Sequence, residues 1–317
     1  AFSDEKRLSA IVSRPPTAGA RLWRSPGHDD MAGLLAALGA AMVWTTASSL
    51  WRSVSSSGSA LQLNTVKNGL ATLLFLPVLL SLPWGDNGQG VALLLLSGVI
   101  GIAIGDSFYL AALRRLGTRR TLTVEAVGPV LGSVGSVLLM QDTLPWKAWI
   151  GAVLVSSAVL LVARQSAEPN RSDTGKSPVI HGLLLSLMAV ISGLAGAFLA
   201  RHVLLETSLS PLQTAAVRLL GGWLVLMPVL RKTPGTQQNR GWGSWCRIGL
   251  ATVLGTNVGI ALQQLVFHEL PVGPGVTLMA TAPVMALLIA PLEGDAIQPL
   301  GVLAAVLALA GVAVTTL

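Results

Sequence analysis

The sequence predicts an all-α membrane protein of about ten transmembrane helices, built as two inverted five-helix repeats. Of its 317 residues 52% are hydrophobic and 11% are charged, with a mean hydropathy of +0.68, a balance that soluble domains of this length do not show. Apolar blocks of roughly 20 residues, the length that crosses a bilayer core about 30 Å thick, recur from Gly33 to Thr316 between short polar joints. The pattern of the first five blocks then returns in the last five.

In chain order the expected spans are Gly33 to Leu50, Leu61 to Leu82, Val91 to Leu113, Leu122 to Met140, Trp146 to Ala163, Gly182 to His202, Pro211 to Leu230, Cys246 to Phe267, Gly275 to Leu292 and Pro299 to Thr316. Trp51, Trp84, Trp146, Trp149, Trp242 and Trp245 stand at their ends, where an amphipathic indole prefers the headgroup layer. Residues 1–30, with Lys6, Arg7, Arg14, Arg21 and Arg24, hold no apolar stretch long enough to span and read as a disordered tail. A gene-boundary artefact and an arginine-rich targeting segment both fit that tail. The polar stretch 165–178 is a linker between one repeat, residues 31–164, and a second, residues 179–317.

The duplication is legible residue by residue. Leu61, Gln62, Val66, Lys67, Leu73, Pro77, Val78 and Leu79 find Leu212, Gln213, Val217, Arg218, Leu224, Pro228, Val229 and Leu230 at one offset. At a second offset Gly101, Gly105, Leu116, Thr123, Pro129 and Val130 find Gly255, Gly259, Leu270, Thr277, Pro283 and Val284. Each unit has an odd number of spans, so the second enters the membrane from the opposite face. Inverted repeats of this kind place a substrate site near mid-membrane and alternate access by rocking one half against the other.

These residues resemble the drug/metabolite transporter superfamily, EamA type. The resemblance rests on the run from Gly101 through Gly105, Asp106 and Tyr109 to Leu113, on Pro129 and Gly151, and on Gly255, Gly259, Pro283, Glu293, Gly301 and Gly311. It implies two EamA-like units and a secondary transporter, an exporter of a small metabolite, amino acid or drug-like solute. The family's acidic residue at the end of the fourth helix is displaced here to Gln141-Asp142.

Four charges fall inside spans, Lys67, Asp106, Glu125 and Arg218, and each costs at least about 2.5 kcal/mol to insert unless it meets a partner or water. With about 1.5 Å of rise per residue, Lys67, Asp106 and Glu125 lie within roughly 6 to 13 Å of one face, and Arg218 at a similar depth from the other. The positions matching the two acids hold Ile260 and Met279, so the repeat keeps its cations and not its acids. Lys67 and Arg218 are therefore expected to contact an anionic substrate, with Asp106 and Glu125 coupling transport to protons. The rival reading is that an acid neutralises Lys67 for insertion alone.

Asn257 and Gln264, seven apart and so on one helical face, join the expected substrate contacts beside Gln263. Gly101, Gly105, Gly255 and Gly259 repeat at four-residue spacing and are expected to pack helices closely. Pro77, Pro129, Pro228 and Pro283 interrupt spans, each removing a backbone hydrogen bond.

No enzyme is expected. Ala103-Ile-Gly105-Asp106 approaches the Gly-x-Gly-Asp of intramembrane aspartyl proteases, but that chemistry needs a second aspartate, and no other span holds one. A single cysteine, Cys246, excludes an internal disulfide and a multi-cysteine metal site. No cofactor or metal is expected. The net charge of +7 gathers at span ends, which points to membrane surfaces and not to nucleic acid. The expected partners are a small-molecule substrate and the lipid bilayer, with the chain a monomer or homodimer. A membrane scaffold that moves nothing is the alternative function.

The expected location is a bacterial inner membrane. Joints after odd-numbered spans carry Arg52, Arg114, Arg115, Arg119, Arg120, Arg164, Arg171, Lys176, Arg231, Lys232, Arg240 and Arg247, against Lys147 and Arg201 on the other face. Cytoplasmic joints are rich in such residues, which puts both termini outside. The basic tail and the family resemblance put them inside.

Overall fold

The computed structural model describes residues 28–52, 60–85, 87–165, 176–232, 242–289 and 299–316. The expected tail up to residue 27, most of the linker and Glu293 lie outside the described residues.

In chain order the helices are α1 His28–Arg52, α2 Ala60–Leu74, α3 Leu76–Leu80 and α4 Gly88–Gly98, which continues through a π-helical segment Val99–Gly105 (π1) into α5 Asp106–Glu125. Then come α6 Gly128–Leu139, α7 Trp146–Gln165, α8 Lys176–Glu206, α9 Pro211–Lys232 and α10 Trp242–Thr252. A second π-helical segment, Val253–Val258 (π2), joins α10 to α11 Gly259–Glu269, followed by α12 Val272–Met279, α13 Ala282–Ile289 and α14 Pro299–Thr316.

Eight runs among the described residues are long and apolar enough to cross a membrane, with a shorter one at Val272–Leu287. The second span adds a tenth, interrupted at Phe75 just before α3, whose second residue is Pro77.

The helical run α5 conceals a reversal. Gly105 meets Ser192 and Leu116 meets Gly182, so α8 is descended as the third span advances. From Thr121 the order inverts: the Thr121 carbonyl accepts from Ser186, and Gly128, Gly132 and Gly135 pass Val190, Leu194 and Phe198. The chain therefore turns back between Leu116 and Thr121, and the third and fourth spans are antiparallel.

The two halves share their irregularities. Val99 opens π1 and Val253 opens π2 at the offset that carries Gly101 onto Gly255. At the same offset both helices break just ahead of a proline, at Ala126–Val127 before Pro129 and at Ala280–Thr281 before Pro283. Each proline withholds the N–H that would bond four residues back, so one local cause produces the same break twice.

The halves interlock by exchange. The first span packs on the eighth, Gly33 against Leu270, Gly39 against Leu262 and Trp44 across Gly255 and Gly259. The sixth packs on the third, where the Ser97 hydroxyl donates to the Gly196 carbonyl over 2.7 Å and Gly101 crosses Gly196. The remaining pairs meet their own counterparts: second and seventh through Gly69 and Trp223, fourth and ninth through Gly132 and Gly273, fifth and tenth through Gly151 and Thr315. Small residues at each crossing let backbones approach where lipid supplies no hydrophobic drive between helices.

Candidate functional site

The polar interior lies among the second, third, seventh and eighth spans, two from each half. Charged and amide side chains there must be satisfied within the protein or by water, because hydrocarbon offers no partner.

Lys67, about 10 Å along its span from Ala60, sits 2.9 Å from Asp106, with side-chain exposures of 21% and 39%. A charge so exposed inside a span requires a partner or water beside it, since lipid supplies neither. The structure thus joins two of the expected site residues, the pairing that the rival reading of Lys67 named. Asp106 opens α5 immediately after π1, close enough to act electrostatically on Arg218, Glu125 and Tyr109. Glu125 closes the same helical run, half-buried, just before the break at Ala126.

Arg218 is buried, 3% exposed. Its Nη1 donates to Gln263 Oε1 over a long 3.4 Å, and its Nε has no hydrogen-bond partner. The third span makes room for it. A Cβ at Gly101 would stand 3.2 Å from Nη2, and one at Gly98 would run into the Arg218 carbonyl. Gly101 therefore serves a tight crossing and also clears the space beside the guanidinium. On the eighth span Gly255 and Gly259 face Ala47 and Trp44, and Trp44 Nε1 donates 2.9 Å to the Gly255 carbonyl inside π2. Gly105 lies against Ser192 and Gly193.

Asn257 Nδ2 donates 2.9 Å to the Ala71 carbonyl, one turn from Lys67, leaving Oδ1 unpartnered. Gln264 is fully buried; its Nε2 reaches Gln263 Oε1 at 3.5 Å and its Oε1 has no partner. Two further residues were missed. Asn64 Nδ2 donates to the Ile102 carbonyl of π1 at 3.5 Å, and Asn68 Nδ2 donates to Asn64 Oδ1 at 2.9 Å. Their four-residue spacing in an apolar run was a readable sign of one polar helix face. Beside Asn257 an otherwise apolar groove of about 420 Å³ runs between Phe75, Pro211, Leu212, Ala261 and Leu265.

A second charged centre lies near the face that carries the termini. Arg201, expected at the surface, is 4% exposed because α8 continues to Glu206. Its Nη1 donates 2.6 Å to the Phe267 carbonyl and also to that of Leu270, closing the carboxyl end of α11 where a cation is favoured. Asp142 interacts electrostatically with it and is bonded by the Ser136 hydroxyl; that hydroxyl also accepts the Gly273 N–H at 2.9 Å. Gln141, with φ 55°, turns the chain so that the Asp142 N–H reaches back to the Ser136 carbonyl at 3.1 Å. His202 is exposed, and His268 pairs with Glu269 at 2.7 Å in an exposed contact. Among the described residues no group of three or more His, Cys, Asp or Glu could hold a metal.

No curated protein is similar enough to this chain to count as a relative. A crystal structure described only as that of a protein shares the fold, with a TM-score of 0.73 at 16% identity over 90% of this chain and 96% of that one. The model of the EamA-like transporter family matches twice, over residues 31–164 and 180–317. With one match on each interlocked half, the chain is an integral multi-pass membrane protein that belongs to the EamA-like transporter family.

Proposed function

We propose that the chain is a secondary transporter that exports a small solute, a metabolite, amino acid or drug-like molecule, by alternating access. The observation that carries this reading is Arg218, a buried guanidinium between the halves with one long hydrogen bond and a free Nε. A buried cation with unused hydrogen-bonding capacity is costly unless something completes it, and an anionic group of a solute would do so. Asn257 and Gln264 each offer an unused carbonyl oxygen to the same solute, and the groove beside Asn257 suits its apolar part. Lys67 takes part when its pair with Asp106 opens. Asp106 and Glu125 are the proton-coupling groups.

The test is thermal stabilisation of purified, reconstituted protein by amino acids, nucleosides, sugar phosphates and cationic drugs, since a ligand that binds only the native state stabilises it. Stabilisation by an anion-bearing solute that disappears in a folded Arg218→Gln variant is the expected result. Stabilisation by cationic drugs alone would overturn the anion contact. If no solute stabilises or exchanges across proteoliposomes, the chain is a scaffold.

A further inference from the structure

The first and sixth spans repeat each other as well. Gly33, Leu34, Leu38, Leu50 and Arg52 find Gly182, Leu183, Leu187, Leu199 and Arg201 at one offset. Three pairs of contacts hold that register in space. Gly33 meets Leu270 where Gly182 meets Leu116, Trp44 meets Gly259 where Gly193 meets Gly105, and Ala47 meets Gly255 where Gly196 meets Gly101. In each case the partners on the eighth and third spans are themselves matched positions. Arg201 is therefore the counterpart of Arg52, and because the repeat is inverted the two stand at opposite membrane faces.

Arg201 rises from the sixth span, which packs on the third and fourth. Its Nη1 bonds the carbonyls of Phe267 and Leu270 on the eighth span, which packs on the first and ninth. Nearby, the Gly273 N–H of the ninth span donates to the Ser136 hydroxyl of the fourth over 2.9 Å. Both sets of bonds join one packed group, spans three, four and six, to the other, spans one, eight and nine. They border an apolar cluster to which Ala37, Leu204, Phe267 and Val272 contribute from the first, sixth, eighth and ninth spans. The face that carries the termini is thus closed in this structure. At the opposite face the position of the fully buried Phe267 falls to Leu113, which is only half-buried.

We infer that Arg201 and Arg52 are alternating latches. Arg201 holds the termini face closed by gripping the carbonyls of Phe267 and Leu270, and in the other state Arg52 holds the opposite face closed by gripping those of Leu113 and Leu116. A guanidinium taken into apolar surroundings needs acceptors, and the carboxyl end of a helix supplies them together with a favourable dipole. Each opening gives up one such contact while the closure opposite makes its counterpart, so neither state is favoured by the latches alone. This rests on the alternating-access reading and adds the pair of residues that sets its balance.

Hydrogen exchange of the full chain in nanodiscs, read by mass spectrometry, tests the pair. The reporters are the peptide holding Gly273, whose N–H bonds across the closed face, and the peptide spanning 113–121 at the opposite face. Arg201→Gln is expected to speed exchange at Gly273 about tenfold, the effect of losing one charge-assisted hydrogen bond, and to slow exchange at 113–121. Adding Arg52→Gln should bring both peptides back toward wild type. Arg201→Lys keeps a charged donor and should shift both in the same sense by less; it serves where Arg201→Gln does not fold.

Loosening of both faces together by Arg201→Gln would make Arg201 a structural residue and not a latch. No change at Gly273 would mean that it holds nothing closed, and a double variant no nearer to wild type than Arg201→Gln would remove Arg52 from the pair. Each of these overturns the inference. Failure of the transport reading shows differently, as proteoliposomes that exchange no solute while the two faces still respond in opposite directions.

Discussion

Lys67 Nζ and Asp106 Oδ2 stand 2.9 Å apart within the first half, whereas the matching positions of the second half hold Arg218 and Ile260. The duplication is thus symmetric in its backbone, with π segments and proline breaks in register, and asymmetric in its charge. The pair satisfies Lys67 for insertion, as the rival reading of the sequence required, without removing Lys67 from the polar interior.

A double-mutant cycle measures that pair. Lys67→Gln leaves Asp106 without its nearest cation and Asp106→Asn leaves Lys67 without its acid, so each single change should destabilise more than half of the double change would suggest. Asp106 is more than a third exposed, so the coupling energy is expected near 1 kcal/mol and not the several characteristic of a dry pair. Thermal unfolding of the four proteins in one detergent checks it; additive single effects would mean the two residues do not interact.

Two glycines on touching spans should respond oppositely to alanine. At Gly98 a Cβ would meet the Arg218 carbonyl, a backbone atom that cannot swing aside, whereas at Gly193 nothing lies within 4 Å. Gly98→Ala is expected to cost about 3 kcal/mol by forcing the third and seventh spans apart. Gly193→Ala should be neutral or stabilising by up to about 1 kcal/mol, from helix propensity. Melting temperatures of the two purified variants decide the matter, and equal shifts would contradict the crossing described.

Asp142, in the joint between the fourth and fifth spans, has its pKa raised above the usual 3.8, with burial outweighing Arg201 and the Ser136 hydroxyl. The folded state therefore holds this proton more tightly than the unfolded state. Its contribution is most favourable below pH 3.8, and the cost of ionising it appears as pH rises through the folded value. Asp142→Asn should accordingly raise the melting temperature at neutral pH, with the gain vanishing toward pH 3.8. A variant less stable than wild type at neutral pH would show that the charge is needed by Arg201.

The basic residues of the odd-numbered joints predict that Thr118, at the turn between the third and fourth spans, is cytoplasmic. In a Cys246→Ser background, which removes the exposed native cysteine, Thr118→Cys should resist a membrane-impermeant thiol reagent in intact cells and react after permeabilisation. Strong labelling of intact cells would reverse the orientation and place both termini inside.

The sequence alone determined the membrane class, the order of spans, the duplication and the positions of the proline breaks. These depend on hydrophobic length and on residues compared along one line, and a proline withholds its N–H wherever it sits. The depth of Lys67, Asp106 and Arg218 followed from the same count. Depth is one coordinate; the direction in which a side chain leaves its helix is another, and packing sets it. Only the tertiary structure decided that the first span meets the eighth and the sixth the third, that Lys67 meets Asp106, and that Arg201 turns inward to the carbonyls of Phe267 and Leu270. A cation near the end of an apolar helix can reach the headgroups, a crevice or a neighbouring helix terminus at similar cost, and the choice is made by which helix faces come together.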